Sequence, residues 1–197
     1  MRPLHCNILR TPRPAGPSAP PRRAIVTRAR PMLYAGLALA LAYDAQRVIR
    51  VAPEAAGLFG GITLAFHELG HVLWSPLGEW FAVAGGSVTQ LLVPIAACLV
   101  LRRQGDALGA IIPLFWLASS LGNLAAYIAD ARTLELPLVS IGDGEEVIHD
   151  WNYLLAHAGL LTREGQMAAW CRMAAWLVLG TTMVLFARQW RQETRRR

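Results

Sequence analysis

Apolar runs recur along this chain at a length that lipid demands and soluble folds do not. Phe81 to Leu101 holds 21 residues without a charge, and Ala107 to Ala129 holds 23. Gln166 to Ala187 carries one charge, Arg172, and the ionisable residues of Ala55 to Leu77 are only His67, Glu68 and His71. A bilayer core roughly 30 Å thick takes about 20 helical residues to cross. Inside it every backbone amide must be satisfied within the segment, which leaves helices as the spanning form for runs like these. A first run, Met32 to Tyr43, is short and spans only if it extends past Asp44 and Arg47 with their side chains snorkelling. The expectation is an all-α, polytopic transmembrane helical bundle with five or six membrane segments. The sixth would come from Val147 to Leu161. Gly85-Gly86-Ser87, followed by Gln90 and Pro94, breaks helical propensity and reads either as a re-entrant loop or as a helix packed closely through small residues.

Composition agrees with lipid as the solvent. Hydrophobic residues make up 54% of the 197 and charged residues 16%, against about 45 to 50% and about 25% in ordinary soluble domains. The net charge of +6 comes from 19 basic residues, all arginine, and 13 acids. Seven Arg lie in positions 1–30 and five in 188–197, where there is a single acid, Glu193. The intervening body is acidic, so the basic surface that nucleic-acid binding needs is missing and no nucleic-acid partner is expected. Both arginine-rich ends favour the cytoplasm by the positive-inside rule. Three domains follow: a Pro- and Arg-rich, disordered segment over 1–31, with Met32 an alternative start; a transmembrane domain over 32–188; and a basic tail over 189–197. The Ala- and Arg-rich, lysine-free composition points to a GC-rich bacterial genome, hence to the bacterial cytoplasmic membrane. Cys6, Cys98 and Cys171 are scattered and odd in number, which argues for packing residues rather than a disulfide framework or a thiolate zinc site.

The chemistry concentrates at His67-Glu68-Leu69-Gly70-His71, an HExxH pattern. On a helix, residues i and i+4 project from one face, so His67 and His71 converge on one metal ion, expected to be Zn2+. Glu68 is then placed as general base for the attacking water. Three ionisable side chains within about one turn of an apolar helix are costly in lipid and are functional by default. The structural alternative is a polar cluster that ties helices together, and the functional alternative is a non-catalytic metal site.

A catalytic zinc commonly has three protein ligands and one open position. The next densest group of candidates is Ile141 to Leu155, and within it His149 or Asp150 is expected as the third ligand, with Asp143 behind them. Whichever is not a ligand would serve as a helix cap. Glu145 and Glu146 are further acids of this group, and His157 reads as packed or interfacial. Ser119, Asn123, Tyr127 and Asp130 form a stripe on one helical face, suited to interhelical hydrogen bonds, with Asn123 able to steady an oxyanion.

On these residues the chain resembles the site-2 protease-like family of intramembrane zinc metallopeptidases. The resemblance covers roughly 55–160 and rests on HELGH at 67–71 inside an apolar segment, the Gly-rich stretch after it, and a later acidic motif. It implies His67 and His71 as zinc ligands, Glu68 as the water-activating base, and a membrane-protein or peptide substrate met in or near the bilayer. The family's third ligand is an aspartate in an LDG motif. Here Leu136-Pro137 and Ile141-Gly142-Asp143-Gly144 are similar, but Gly142 intervenes and no long apolar run follows. Di-iron hydroxylases resemble one another in needing around eight histidines, more than the body supplies. Glutamic intramembrane peptidases resemble one another in an EExxxR motif, and no Arg follows Glu145-Glu146 at that spacing.

Overall fold

The computed structural model describes residues 22–51, 57–136 and 148–195, and among these there is no strand. The helices are α1 (Arg22–Val51), α2 (Gly60–Trp74), α3 (Glu79–Arg103), α4 (Ile111–Ala129), α5 (Asp150–His157) and α6 (Glu164–Arg195). Short 3-10 turns, Ser75–Leu77 and Leu161–Arg163, lead into α3 and α6. The all-helical architecture is the one the apolar runs predict.

Helix α4 is the central element. It packs most extensively on α6, and then on α1 and α3. Ala38, Leu41, Ala45 and Ile49 recur at helical spacing on α1 and meet Ile111, Phe115 and Ala118 of α4 and Ala175 and Leu179 of α6. A second cluster joins Leu124 and Ile128 of α4 to Ala168 of α6, with Leu91 of α3 against them. Together these contacts make α4 antiparallel to both α3 and α6.

Helices α2 and α3 form a hairpin. Ser75 and Pro76 end α2 in a 3-10 turn, and Gly78 adopts φ 106°, a conformation that favours glycine. Glu79 then opens α3 and Arg102 and Arg103 close it, each with the sign that the helix dipole favours. The two helices touch backbone to backbone. A Cβ on Gly85 would lie 2.7 Å from the carbonyl oxygen of Gly70 and 2.7 Å from the Trp74 side chain. Gly85, Gly86 and Ser87 therefore belong to one continuous helix packed through small residues, and the re-entrant loop is not formed.

Small polar residues share the apolar interior, and large apolar side chains lie on the outside. Ser119, Ser120 and Thr182 are completely buried, whereas Val72, Leu73 and Leu177 are 70%, 64% and 65% exposed. Trp116 donates to Thr63 Oγ1 at 2.8 Å, and that hydroxyl lies 3.4 Å from Ser120 Oγ, so these three interior groups answer one another, while Ser119 Oγ is buried without a hydrogen-bond partner among the described residues. Such a surface suits lipid.

Three helical segments are long and apolar enough to cross a membrane: Glu79–Arg103, Ile111–Ala129 and Leu161–Gln192. The expected five or six is not reached among the described residues. Helix α2 has 15 residues, which rise only about 22 Å, because Ser75-Pro76 ends it before its apolar run is exhausted. Helix α1 is long, but Asp44, Arg47 and Arg50 interrupt it.

The close approach of α2 and α3 is testable. Gly85→Val should lower the thermal midpoint in detergent micelles by the equivalent of about 1–3 kcal/mol, the usual cost of overpacking. Gly61→Ala, where a Cβ meets nothing within 4 Å, should leave it unchanged. Equal midpoints for the two variants, read by circular dichroism, would contradict the backbone contact.

Candidate metal centre

His67 and His71 stand one turn apart on α2, with imidazole centroids 4.8 Å apart. Donor atoms of His67, Glu68 and His71 all lie within 4.8 Å of one another, so this group can hold a metal ion. His67 is buried, while Glu68 and His71 are half-buried, which leaves one side of the group open.

Each imidazole is anchored from behind by α3. His67 Nδ1 lies 3.0 Å from Gln90 Oε1, and His71 Nδ1 lies 2.9 Å from the carbonyl oxygen of Ala82. A proton on Nδ1 satisfies both contacts and leaves each Nε2 with a free lone pair, the tautomer a metal ligand requires. Both Nε2 atoms face the carboxylate of Asp150. Its Oδ2 is 2.9 Å from His67 Nε2 and 3.4 Å from His71 Nε2.

Asp150 reaches this position because α5 begins with it and is tied down on several sides. Its own backbone N–H donates to the Tyr127 hydroxyl at 3.1 Å, so a side chain of α4 satisfies one of the orphan donors of the helix start. Trp151 Nε1 donates to Ser87 Oγ on α3 at 3.1 Å, and Asn152 Nδ2 donates to the carbonyl of Ala131 at 2.7 Å.

His149 has a different role from its neighbour. It is the N-cap of α5, and its Nδ1 accepts the backbone N–H of Asn152 at 3.2 Å. Its ring packs on Tyr127 with centroids 4.2 Å apart, and Nε2 points to Asp130, 3.4 Å from Oδ2. Capping uses the Nδ1 lone pair and Nε2 faces Asp130, so neither ring nitrogen is directed to the site of His67 and His71. Of the two residues weighed as third ligand, the structure thus brings Asp150 to the pair and sets His149 as the cap. Asp143, Glu145 and Glu146 lie outside the described residues.

Asp130 organises the exit from α4. Its carboxylate accepts from Thr133 Oγ1 at 2.7 Å and from the backbone N–H groups of Glu135 and Leu136 at 2.8 and 3.0 Å. Burial pushes the Asp130 carboxyl up, but these three donors, with His149 beside them, outweigh it and hold the group below its ordinary range. The turn includes Leu134 at φ 55°, a left-handed conformation that Asp130's grip on the following amides helps to hold. Asn123 is half-buried one turn before Tyr127 on α4. His157 is exposed and stacks on Tyr153, 3.9 Å between centroids, with Nδ1 against that residue's carbonyl.

Three partners of the histidines come from α3, namely Gln90, the Ala82 carbonyl and Gly86; the sequence marks Gly86 and Gln90 only as a break in helical propensity. A Cβ on Gly86 would lie 2.7 Å from Nε2 of both His67 and His71. Glycine there keeps open the space in front of both lone pairs. The signal for Gly86 and Gln90 was the small and polar stretch Gly85-Gly86-Ser87 with Gln90 inside an uncharged run; a backbone carbonyl such as that of Ala82 leaves none.

No family model, curated protein or solved structure matches the chain.

The cradle yields a sharp expectation. Gly86→Ala should abolish stoichiometric metal in the purified protein while its helical circular dichroism is retained. Full metal occupancy in Gly86→Ala, measured by inductively coupled plasma mass spectrometry, would refute the role of this glycine.

Proposed function

We propose that this chain is a membrane-embedded zinc metallopeptidase in which His67, His71 and Asp150 hold the metal and Glu68 is the general base. One observation carries the reading: the two Nε2 atoms converge on Asp150 Oδ2, at 2.9 and 3.4 Å, and with both Nδ1 atoms protonated toward Gln90 and Ala82 all three are acceptors. Acceptors that face one another repel unless a cation lies between them. A proton on His67 answers one contact, whereas a metal answers all three. Tetrahedral zinc with ligands at about 2.0–2.2 Å sets them about 3.3–3.6 Å apart; the 3.4 Å contact falls in that range, and the 2.9 Å contact would open by about 0.5 Å to admit the ion. The donor set of two imidazoles and a carboxylate suits zinc, and the Gly86 cradle leaves room for an ion.

Zinc bound there would lower the pKa of a water toward neutrality and polarise a peptide carbonyl. The chain's own residues do the rest. Gln90 and the Ala82 carbonyl hold the imidazoles in the ligating tautomer. Glu68, on the half-open side of the group, takes a proton from the attacking water and passes it to the amine nitrogen as the C–N bond breaks. His71 keeps 26% of its side chain accessible against 9% for His67, which supports approach of a peptide from the His71 side. The three apolar spans support action on a membrane protein or peptide in or near the bilayer. The lysine-free, alanine-rich composition supports the cytoplasmic membrane of a bacterium.

Glu68→Gln separates catalysis from metal holding. The variant should keep its zinc and lose about 10²- to 10⁴-fold in turnover of a fluorogenic peptide pool in detergent, the range expected for loss of a general base. Equal zinc-dependent turnover by both proteins, or none by the wild type, would sink the catalytic reading and leave a metal-binding membrane protein.

A further inference from the structure

The metal centre is not placed midway along the bundle. On α3 the cradle glycine Gly86 is seven residues after Glu79, about 10 Å along the axis, and 17 before Arg103, about 25 Å. Tyr127, which receives the Asp150 amide, lies in the last turn of α4, about 24 Å from Ile111. Since α3 and α4 are antiparallel, both measures put the centre near the same end, beneath the starts of α3, α5 and α6. The opposite end collects Arg102 and Arg103 at the close of α3, Asp106 in the next turn, and Arg188, Arg191 and Arg195 on the last turns of α6.

The two ends therefore differ in arginine. Near the centre the described arginines are Arg132 and Arg163, and Arg132 is paired with Glu164 at 2.9 Å. Arg47, Arg50 and Arg172 lie between the ends and are assigned to neither: Ile49, beside Arg50, meets Gly122, and Cys171, beside Arg172, meets the Leu121 carbonyl, both midway along α4. Arginine near the ends of spanning helices stays on the cytoplasmic side.

We infer that the centre opens toward the non-cytoplasmic face, and that its substrate is a polypeptide segment presented at that face, such as the extracytoplasmic juxtamembrane stretch of a membrane protein. The nature of the substrate rests on the metallopeptidase reading; the position of the centre does not. A peptide in the cytoplasm would have to cross about 25 Å of packed apolar helix to reach Glu68. A segment on the other face has about 10 Å to travel, past the half-open side of the centre.

Two arms test the placement and the substrate separately. In a full-length chain carrying Cys6→Ser, Cys98→Ala and Cys171→Ala, single cysteines are introduced as Thr162→Cys, exposed near the centre, or Gln104→Cys, exposed at the arginine end. A membrane-impermeant maleimide on intact spheroplasts should label Thr162→Cys and spare Gln104→Cys, with both labelled after permeabilisation. Any other pattern on intact spheroplasts overturns the inference, whatever the activity. In the second arm, an impermeant fluorogenic peptide outside the spheroplasts should be cleaved at least tenfold faster with wild type than with Glu68→Gln, before permeabilisation. Cleavage that appears only after permeabilisation overturns the assignment of the substrate's side. Absence of cleavage in either condition, with the labelling as expected, overturns the peptidase reading and its substrate while the position of the centre stands.

Discussion

The contact between the Asp150 carboxylate and the two imidazoles of α2 sets the terms for the rest of the bundle. His67 and His71 come from one helix and Asp150 from another about eighty residues later, and their ligand atoms meet at 2.9 and 3.4 Å. Groups of this polarity are tolerated at membrane depth only when the protein itself answers them. Two neighbouring helices supply the answers: Gln90 and Ala82 from α3 for the Nδ1 atoms, and Tyr127 from α4 for the Asp150 amide. The backbone contact of Gly70 with Gly85 follows from the same requirement, because α3 must come close enough for its carbonyl to reach a histidine on α2.

Three helices apolar enough to cross a membrane fit the large apolar side chains on the surface. Packing between helices in a membrane gains little from apolar burial, since the tails outside are as apolar as leucine. Interfaces then rely on small residues and buried hydrogen bonds, and α4 shows both. Gly122 lies against α1, where a Cβ would come 3.0 Å from Ile49 Cγ1. Ser120 meets Thr63, and Cys171 of α6 donates to the Leu121 carbonyl at 3.3 Å. The large apolar side chains left on α2, α3 and α6 face outward, as a bilayer would require.

The helical class could be read from the runs alone, because an uncharged stretch of about 20 residues has few other stable forms in lipid. The HExxH group was legible for a related reason: i, i+4 convergence is local geometry and needs no tertiary information. The span count was not. Apolar composition around 55–77 resembles a crossing, but helix length is set by where Ser75 and Pro76 stop it. The choice between His149 and Asp150 was also beyond the sequence. The two are adjacent, and which one faces α2 depends on where α5 begins: with His149 as the cap, Asp150 becomes the first helical residue and swings toward the histidines. Gln90, Ala82 and Gly86 depend on the register of α2 against α3, which a glycine pair can announce but not align.

The central claim is that His67, His71 and Asp150 together hold zinc. X-ray absorption at the zinc edge of the purified protein reads the ligand set directly. It should show a four-coordinate site with two imidazoles and the remaining ligands oxygen, all at about 2.0–2.2 Å, and Asp150→Ala should lose or rearrange it. A sulfur shell at about 2.3 Å, or a wild-type spectrum that Asp150→Ala leaves unchanged, would contradict the account.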